Sequence, residues 1–215
     1  MSARQINRWG LAGLVATTVG VLALAPRAGA GSPTEELRQS TDRVIEILTS
    51  PRLLRAERRA QVREIAAEVF DVPETAKRVL GPHWWARTPA EQAEFSRLFG
   101  DLLEWTYLSR IDEYRGQRLE FTGEQVDGDA ATVRGRVLMR SGLPIPVESR
   151  LLWRSGRWRI YDVKIENVSL VGNYRAQFDR VIRTASYEAL VERMKIRIEQ
   201  LREIPLGVST APARR

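Results

Sequence analysis

Residues 118–166 read RLEFTGEQVDGDAATVRGRVLMRSGLPIPVESRLLWRSGRWRIYDVKIE, and the period of this stretch decides the fold. Val133, Gly135, Val137 and Met139 alternate with Arg134, Arg136 and Arg140, and Val147, Ser149, Leu151 and Trp153 alternate with Glu148, Arg150 and Arg154. A two-residue period sends successive side chains to opposite faces of a strand, so one face is apolar and the other wet. Three turn signals, Asp127-Gly128, Ser141-Gly142 and Ser155-Gly156, recur about fourteen residues apart. The spacing predicts strands over 118–126, 130–140, 145–154 and 157–166. Their connections are too short for a crossover, so the strands form an antiparallel meander.

Outward from the meander the period becomes helical. Upstream, Thr88-Pro89-Ala90-Glu91 is a capping box with proline at the first helical position, and it opens a helix that runs to about Tyr114. The apolar positions of that helix form a stripe wider than one packed face requires, so something further must cover it. Shorter helices are predicted over 33–50, 53–69 and 73–80, punctuated by Pro51 and Gly81-Pro82. The second of them carries Arg55, Arg58, Arg59 and Arg63 on its outside, which reads as a solvated face, with docking to an acidic partner as the alternative. Downstream of Val168 two helical stripes follow, Val171, Tyr174, Phe178, Val181 and Ile182, then Tyr187, Leu190, Met194, Ile198 and Leu201, the latter capped by Ser186.

Helices, a meander and helices again predict an α+β class, with helices packed on one face of a curved four-stranded antiparallel meander. If the sheet curves away from the long helix, the two apolar faces enclose a pocket. Its walls would be Phe95, Phe99, Leu102, Leu103, Tyr107 and Ile111 from the helix, and Val133, Val137, Leu151, Trp153, Trp158 and Ile160 from the strands. Tyr174 and Phe178 join them from the first stripe after the sheet. Pattern alone does not separate a lined cavity from a filled core.

Composition narrows the chemistry. Arg4 and Arg8, the apolar run Leu11 to Leu24, and Ala28-Gly29-Ala30 have the form of a cleavable Sec-type signal peptide over residues 1–30, too short an apolar run to span a bilayer. Its removal takes Arg4, Arg8 and Arg27 and no acid, which lowers the net charge from +7 to +4. Residues 31–204 then make one domain, and 205–215 a disordered basic tail. Cysteine is absent, so an exported chain must rely on packing instead of disulfides, and thiolate nucleophiles and thiolate metal sites are excluded. The single histidine, His83, makes a His-rich metal site or a Ser-His-Asp triad hard to assemble. No cofactor fingerprint appears. The best acid/base candidate is Asp162 beside Tyr161, and a strand-end aspartate also serves as a backbone acceptor. Outward strand arginines without stacking aromatics argue against nucleic acid.

Residues 70–115 and 158–183 resemble the MlaC, or toluene-tolerance, family of periplasmic phospholipid-binding proteins. The first block comprises Phe70-Asp71, Val79-Leu80-Gly81, Trp84-Trp85, Thr88, Gln92, Phe95, Phe99, Leu103, Tyr107 and Tyr114. The second comprises Trp158-Arg159-Ile160-Tyr161-Asp162-Val163, Val168-Ser169-Leu170-Val171 and Asn173-Tyr174-Arg175-Ala176-Gln177-Phe178. The resemblance implies a lipid shuttle, not an enzyme. It would carry a phospholipid ligand between an outer-membrane lipoprotein–porin complex and an inner-membrane ABC transporter with an MCE-domain subunit, maintaining outer-membrane asymmetry. The pocket walls named above would then hold acyl chains. At about 0.8 kcal/mol per methylene, a sixteen-carbon chain represents roughly 13 kcal/mol of exposure, so a carrier must bury its tails almost completely. The competing readings are a nonlipid adaptor and a small-molecule isomerase or hydrolase.

Overall fold

A computed structural model describes residues 31–139 and 144–203, with Ser109 and Arg110 described by backbone alone. The expected leader, the Ser141-Gly142 turn and the expected tail at 205–215 lie outside the described residues. The elements follow the predicted order: α1 (Pro33–Thr49), α2 (Arg55–Val69), α3 (Val72–Leu80), a 3-10 helix (Gly81–Ala86), α4 (Pro89–Tyr107), a second 3-10 helix (Leu108–Glu113), β1 (Arg118–Asp127), β2 (Ala130–Leu138), β3 (Ile145–Arg154), β4 (Arg157–Ile165), β5 (Val168–Ser169), α5 (Leu170–Thr184) and α6 (Tyr187–Glu203).

The capping box at the start of α4 is present, with Thr88 Oγ1 accepting from the Glu91 N–H and Glu91 accepting from the Thr88 N–H at 2.7 Å. The helix does not continue to Tyr114 as its stripe suggests. It ends at Tyr107 and tightens into the 3-10 helix that leads to β1. The sheet has five strands, not four, in the order β1-β2-β3-β4-β5, every neighbouring pair antiparallel. A two-residue strand has no period to read, which is why β5 escapes sequence analysis. Ser155 and Gly156, in the β3–β4 turn, both have positive φ, as the right-handed twist of a hairpin favours. Gly135 faces the β1 bulge, where a Cβ would meet the Glu120 carbonyl oxygen at 2.7 Å.

Two apolar cores form instead of one. The first is helical: Ala76, Val79 and Leu80 of α3, Phe95, Phe99 and Leu102 of α4, Phe178 of α5, and Leu190, Met194 and Ile198 of α6. Phe95, Phe99 and Phe178 pack as a ring cluster, with Phe178 edge-on to both phenylalanines of α4 at 6.0 and 6.1 Å. The second lies on the sheet, where Leu37 of α1 covers Ala131, Val133, Leu151, Trp158 and Ile160. The wide stripe of α4 is therefore covered mainly by helices α3 and α6, and the sheet is covered by α1 over β1 and β2 and by α2, α3 and α5 along β4.

Polar ties fasten the two halves along β4. The Asp71 N–H donates to the Ile160 carbonyl at 2.8 Å and the Thr75 hydroxyl to the Tyr161 carbonyl at 3.0 Å. Buried Asp162 accepts from the Val171 N–H at 3.0 Å and from the Ser169 hydroxyl at 2.7 Å, which fixes the start of α5.

Candidate functional site

The apolar face of the sheet is sealed at one end and not at the other. Cross-strand register puts Ala131, Val133, Gly135 and Val137 of β2 on one face, opposite Leu151, Ser149, Val147 and Ile145 of β3. At the end holding the β1–β2 and β3–β4 turns the inner strands of this face are dry, with Leu151 0% exposed and Val133 2%, and only the edge residue Val126 of β1, opposite Ala131, is bare among the described residues. At the far end the same face carries Leu119 opposite Val137, Val137 opposite Ile145, Val147 opposite Ile165, and Ile165 opposite Val168. Leu119, Val137, Ile145 and Val147 are only half-buried, and Ile165 and Val168 are 51% and 62% exposed.

Other half-buried apolar side chains that belong to neither core stand on the elements leading to that end. They include Val44 and Leu48 of α1, and Leu108 and Ile111 of the 3-10 helix before β1. α1 starts beside β1, where Glu124 accepts from Ser32 and the Thr34 N–H at 2.7 and 2.9 Å, and Arg38 lies over the Phe121 ring. The Trp158 indole N–H donates to the Gly31 carbonyl at 3.2 Å, and its backbone N–H to Glu36 at 3.0 Å. These bonds seal the turn end.

The arginines of α2 have structural partners. Arg59 pairs with Asp112 of the 3-10 helix and Arg63 with Glu104 of α4, while Arg58 donates to the Ser50 carbonyl at 2.7 Å. The helix thus straps the wall of the sheet to the end of α4. The predicted outward arginine face is in this part a set of bridges.

The groups suited to acid/base work are spent on structure. Asp162 is saturated by Ser169 and Val171, and the Tyr161 ring lies under the Arg78 guanidinium at 4.0 Å. Burial raises Tyr187 to about 12, helped by nearby Glu91 and Glu94, and burial also raises Tyr174, helped by Tyr107, so both phenols stay neutral. His83 Nε2 meets Asp179 at 3.0 Å and ties the first 3-10 helix to α5. Among the described residues no group of three or more His, Asp or Glu could hold a metal, and no helix is long and apolar enough to cross a membrane. A cleft of about 280 Å³ between α1, α2 and the β3–β4 turn has Leu37, Val69 and Trp158 in its wall beside Arg43, Glu68 and Arg157, and these charges make it a poor site for hydrocarbon.

The predicted wall residues are divided between the two cores. Phe95, Phe99, Leu102 and Phe178 are buried in the helical one, with Leu103 and Tyr174 packed on it. Val133, Leu151, Trp158 and Ile160 are buried in the sheet core, with Trp153 against it. Val137 and Ile111 are half-buried, and Tyr107 is exposed. Leu119, Ile145, Val147, Ile165 and Val168, which stand on the half-covered end of the face, were not among the predicted wall residues. Extending the β2–β3 alternation across the register would have found the first three.

An α+β domain whose apolar sheet face is closed at one end and partly bare at the other belongs to the class of folds suited to enclosing a hydrophobic guest. A family model described as MlaC protein matches residues 38–196. The chain is a member of the MlaC family. It is 23% identical over 124 residues to the intermembrane phospholipid transport system binding protein MlaC of Haemophilus influenzae, across 55% of this chain and 58% of that one. The chain therefore aligns with little more than half the length of that relative. Its fold matches a phospholipid-binding protein from Ralstonia solanacearum, solved in complex with a phospholipid, with a TM-score of 0.69 and 24% identity over 80% of this chain and 100% of that one.

Proposed function

We propose that this protein is a periplasmic carrier that holds a glycerophospholipid by its acyl chains, in a groove lined at the far end of the sheet by Leu119, Val137, Ile145 and Val147. The observation that carries this reading is the uncovered stretch of apolar face continuous with a fully packed one. A sheet whose inner face is dry at one end has no structural need to leave the same face half-covered at the other. Membership of the MlaC family supports a phospholipid as the guest, and so do the similarities to the Haemophilus phospholipid transport binding protein and the Ralstonia phospholipid-binding protein.

Physical chemistry supports the division of labour. Tail burial of roughly 13 kcal/mol per sixteen-carbon chain supplies the affinity. The head group then needs only loose contacts, and tolerance of different head groups follows. Release requires a partner offering the tails another apolar path. In this reading the partners are an inner-membrane ABC transporter with an MCE-domain subunit and an outer-membrane lipoprotein–porin complex, and the transport maintains outer-membrane asymmetry. Export by a leader at residues 1–30 would place the carrier between them.

Native mass spectrometry of protein purified from expressing cells tests the reading. The expected spectrum carries a mass increment of one intact phospholipid that is lost on denaturation in organic solvent. A bare chain mass, unchanged after incubation with phospholipid vesicles, would end the carrier reading.

A further inference from the structure

We infer that lipid tails enter and leave over a fixed lip made by Ile165 and Val168 at the β4–β5 turn. This inference rests on the carrier reading and adds the route. Ile165 and Val168 lie directly opposite each other, and Ile165 lies opposite Val147, so the lip continues the apolar row of the groove without a break. Coverage falls along β3 from Leu151 at 0% exposed to half-buried Val147, and then across the sheet from Val147 to Ile165 and Val168, both more than half exposed.

The other ways out are fastened. The turn end is held by Trp158 on Gly31 and Glu36 and by Glu124 on Ser32 and Thr34. The β4 edge is closed by the Asp71–Ile160 bond and by Arg159, which donates to the Ala67 and Phe70 carbonyls, each at 2.7 Å. The side toward α4 is strapped by Arg59–Asp112 and Arg63–Glu104. Among the described residues, the bare apolar surface that is continuous with the groove and free of such ties to a helix stands at the far end.

The exposed apolar side chains gather there too. Among the described residues, nine large apolar side chains are exposed. Met139, Ile165 and Val168 stand at the far end of the sheet, Leu54 precedes the end of α2 that Arg59 ties to Asp112, and Tyr107 precedes the 3-10 helix leading to β1. Three of the nine therefore stand at that one end of the sheet. The lip itself is rigid. Glu166 and Asn167 both hold positive φ, a conformation costly for residues other than glycine, and the Glu166 N–H is tied to the Pro146 carbonyl at 3.1 Å. A turn held in that way presents Ile165 and Val168 as a stationary threshold for a sliding methylene chain.

Transfer of a pyrene-tailed phosphatidylcholine from vesicles into the protein, followed by loss of excimer fluorescence, separates route from capacity. The double variant Ile165→Ser/Val168→Ser should slow transfer roughly tenfold, because the chain loses apolar contact midway between bilayer and groove. The phospholipid found by mass spectrometry after prolonged incubation should be unchanged. Ile196→Ser, on the exposed face of α6, serves as the control and should transfer at the wild-type rate. Both substitutions lie on the surface, and thermal melts verify that the fold survives. Equal transfer rates for lip variant and wild type would overturn the lip while leaving the carrier intact, as would equal slowing by Ile196→Ser. A wild type that neither contains nor acquires phospholipid would instead overturn the carrier reading and the lip with it.

Discussion

Glu124 shows how much a single carboxylate on an edge strand can organise. It points from β1 to the first residues of α1, accepting from the Ser32 hydroxyl and the Thr34 N–H. Partial burial pushes its pKa up, but the hydrogen bonds from Thr34 and Ser32 outweigh that and hold it below the ordinary 4.5. The folded protein therefore releases this proton more readily than the unfolded chain. Its stabilisation is complete above the unfolded value and is lost as the pH falls through the folded one. Glu124→Gln should lower stability near neutrality by about 1 kcal/mol and flatten the acid limb of the stability curve. Urea unfolding at a series of pH values from neutral to acid checks this, and a variant whose acid limb parallels the wild type would show that Glu124 does not carry the effect. The amino acid sequence gives no warning of this contact, because the partners are about ninety residues apart. Thr88 and Glu91, three residues apart, were legible for the opposite reason: a capping box is local, and its geometry is dictated by the helix itself.

At the scale of elements, the β4–α5 junction decides how the helical core is set against the sheet. Asp162 is buried within β4, not at its end, and both carboxylate oxygens are used, one by the Val171 N–H and one by the Ser169 hydroxyl. Ser169 in turn caps α5 by accepting from the Gly172 N–H at 2.9 Å. Asp162→Ala would leave the buried Val171 N–H without a partner and free the start of α5, so it should cost about 2–3 kcal/mol by chemical denaturation. Asp162→Asn, which keeps one acceptor, should cost less. If both variants are as stable as the wild type, the junction is not held by this carboxylate. Element type and order were legible because the two-residue and helical periods are properties of each segment alone. The partner of each face was not. The stripe of α4, with Phe95 and Phe99, is broad because α3 on one side and α5 and α6 on the other share it, and nothing in its spacing distinguishes cover by helices from cover by a sheet. The short β5 was illegible because pairing with Lys164 and Ile165, not its own pattern, makes it a strand.

The whole molecule turns on the contrast between the two ends of one sheet face, and that contrast separates a lipid groove from an ordinary core by experiment. Leu151 and Val137 are both apolar, lie on the same face and sit on neighbouring strands, so their intrinsic chemistry is matched. Leu151 is enclosed by the sheet core, and Leu151→Asp buries a carboxylate with no partner, a change that costs several kcal/mol and should unfold the protein. Val137 is half-buried beside the uncovered stretch, where a carboxylate can turn toward water. Val137→Asp should therefore lose no more than about 1.5 kcal/mol of stability. It should also reduce co-purified phospholipid roughly tenfold, because a charge at the groove wall repels hydrocarbon far more strongly than it disturbs packing. Circular dichroism melts and native mass spectra on the same samples read the two effects independently. If Val137→Asp unfolds as Leu151→Asp does, the far end is packed core, and the half-coverage of Leu119, Ile145 and Val147 has no guest to explain it. If Val137→Asp folds and still binds lipid like the wild type, the tails lie elsewhere. The groove reading requires the remaining outcome: a folded, empty protein made by one charge at one end of the sheet.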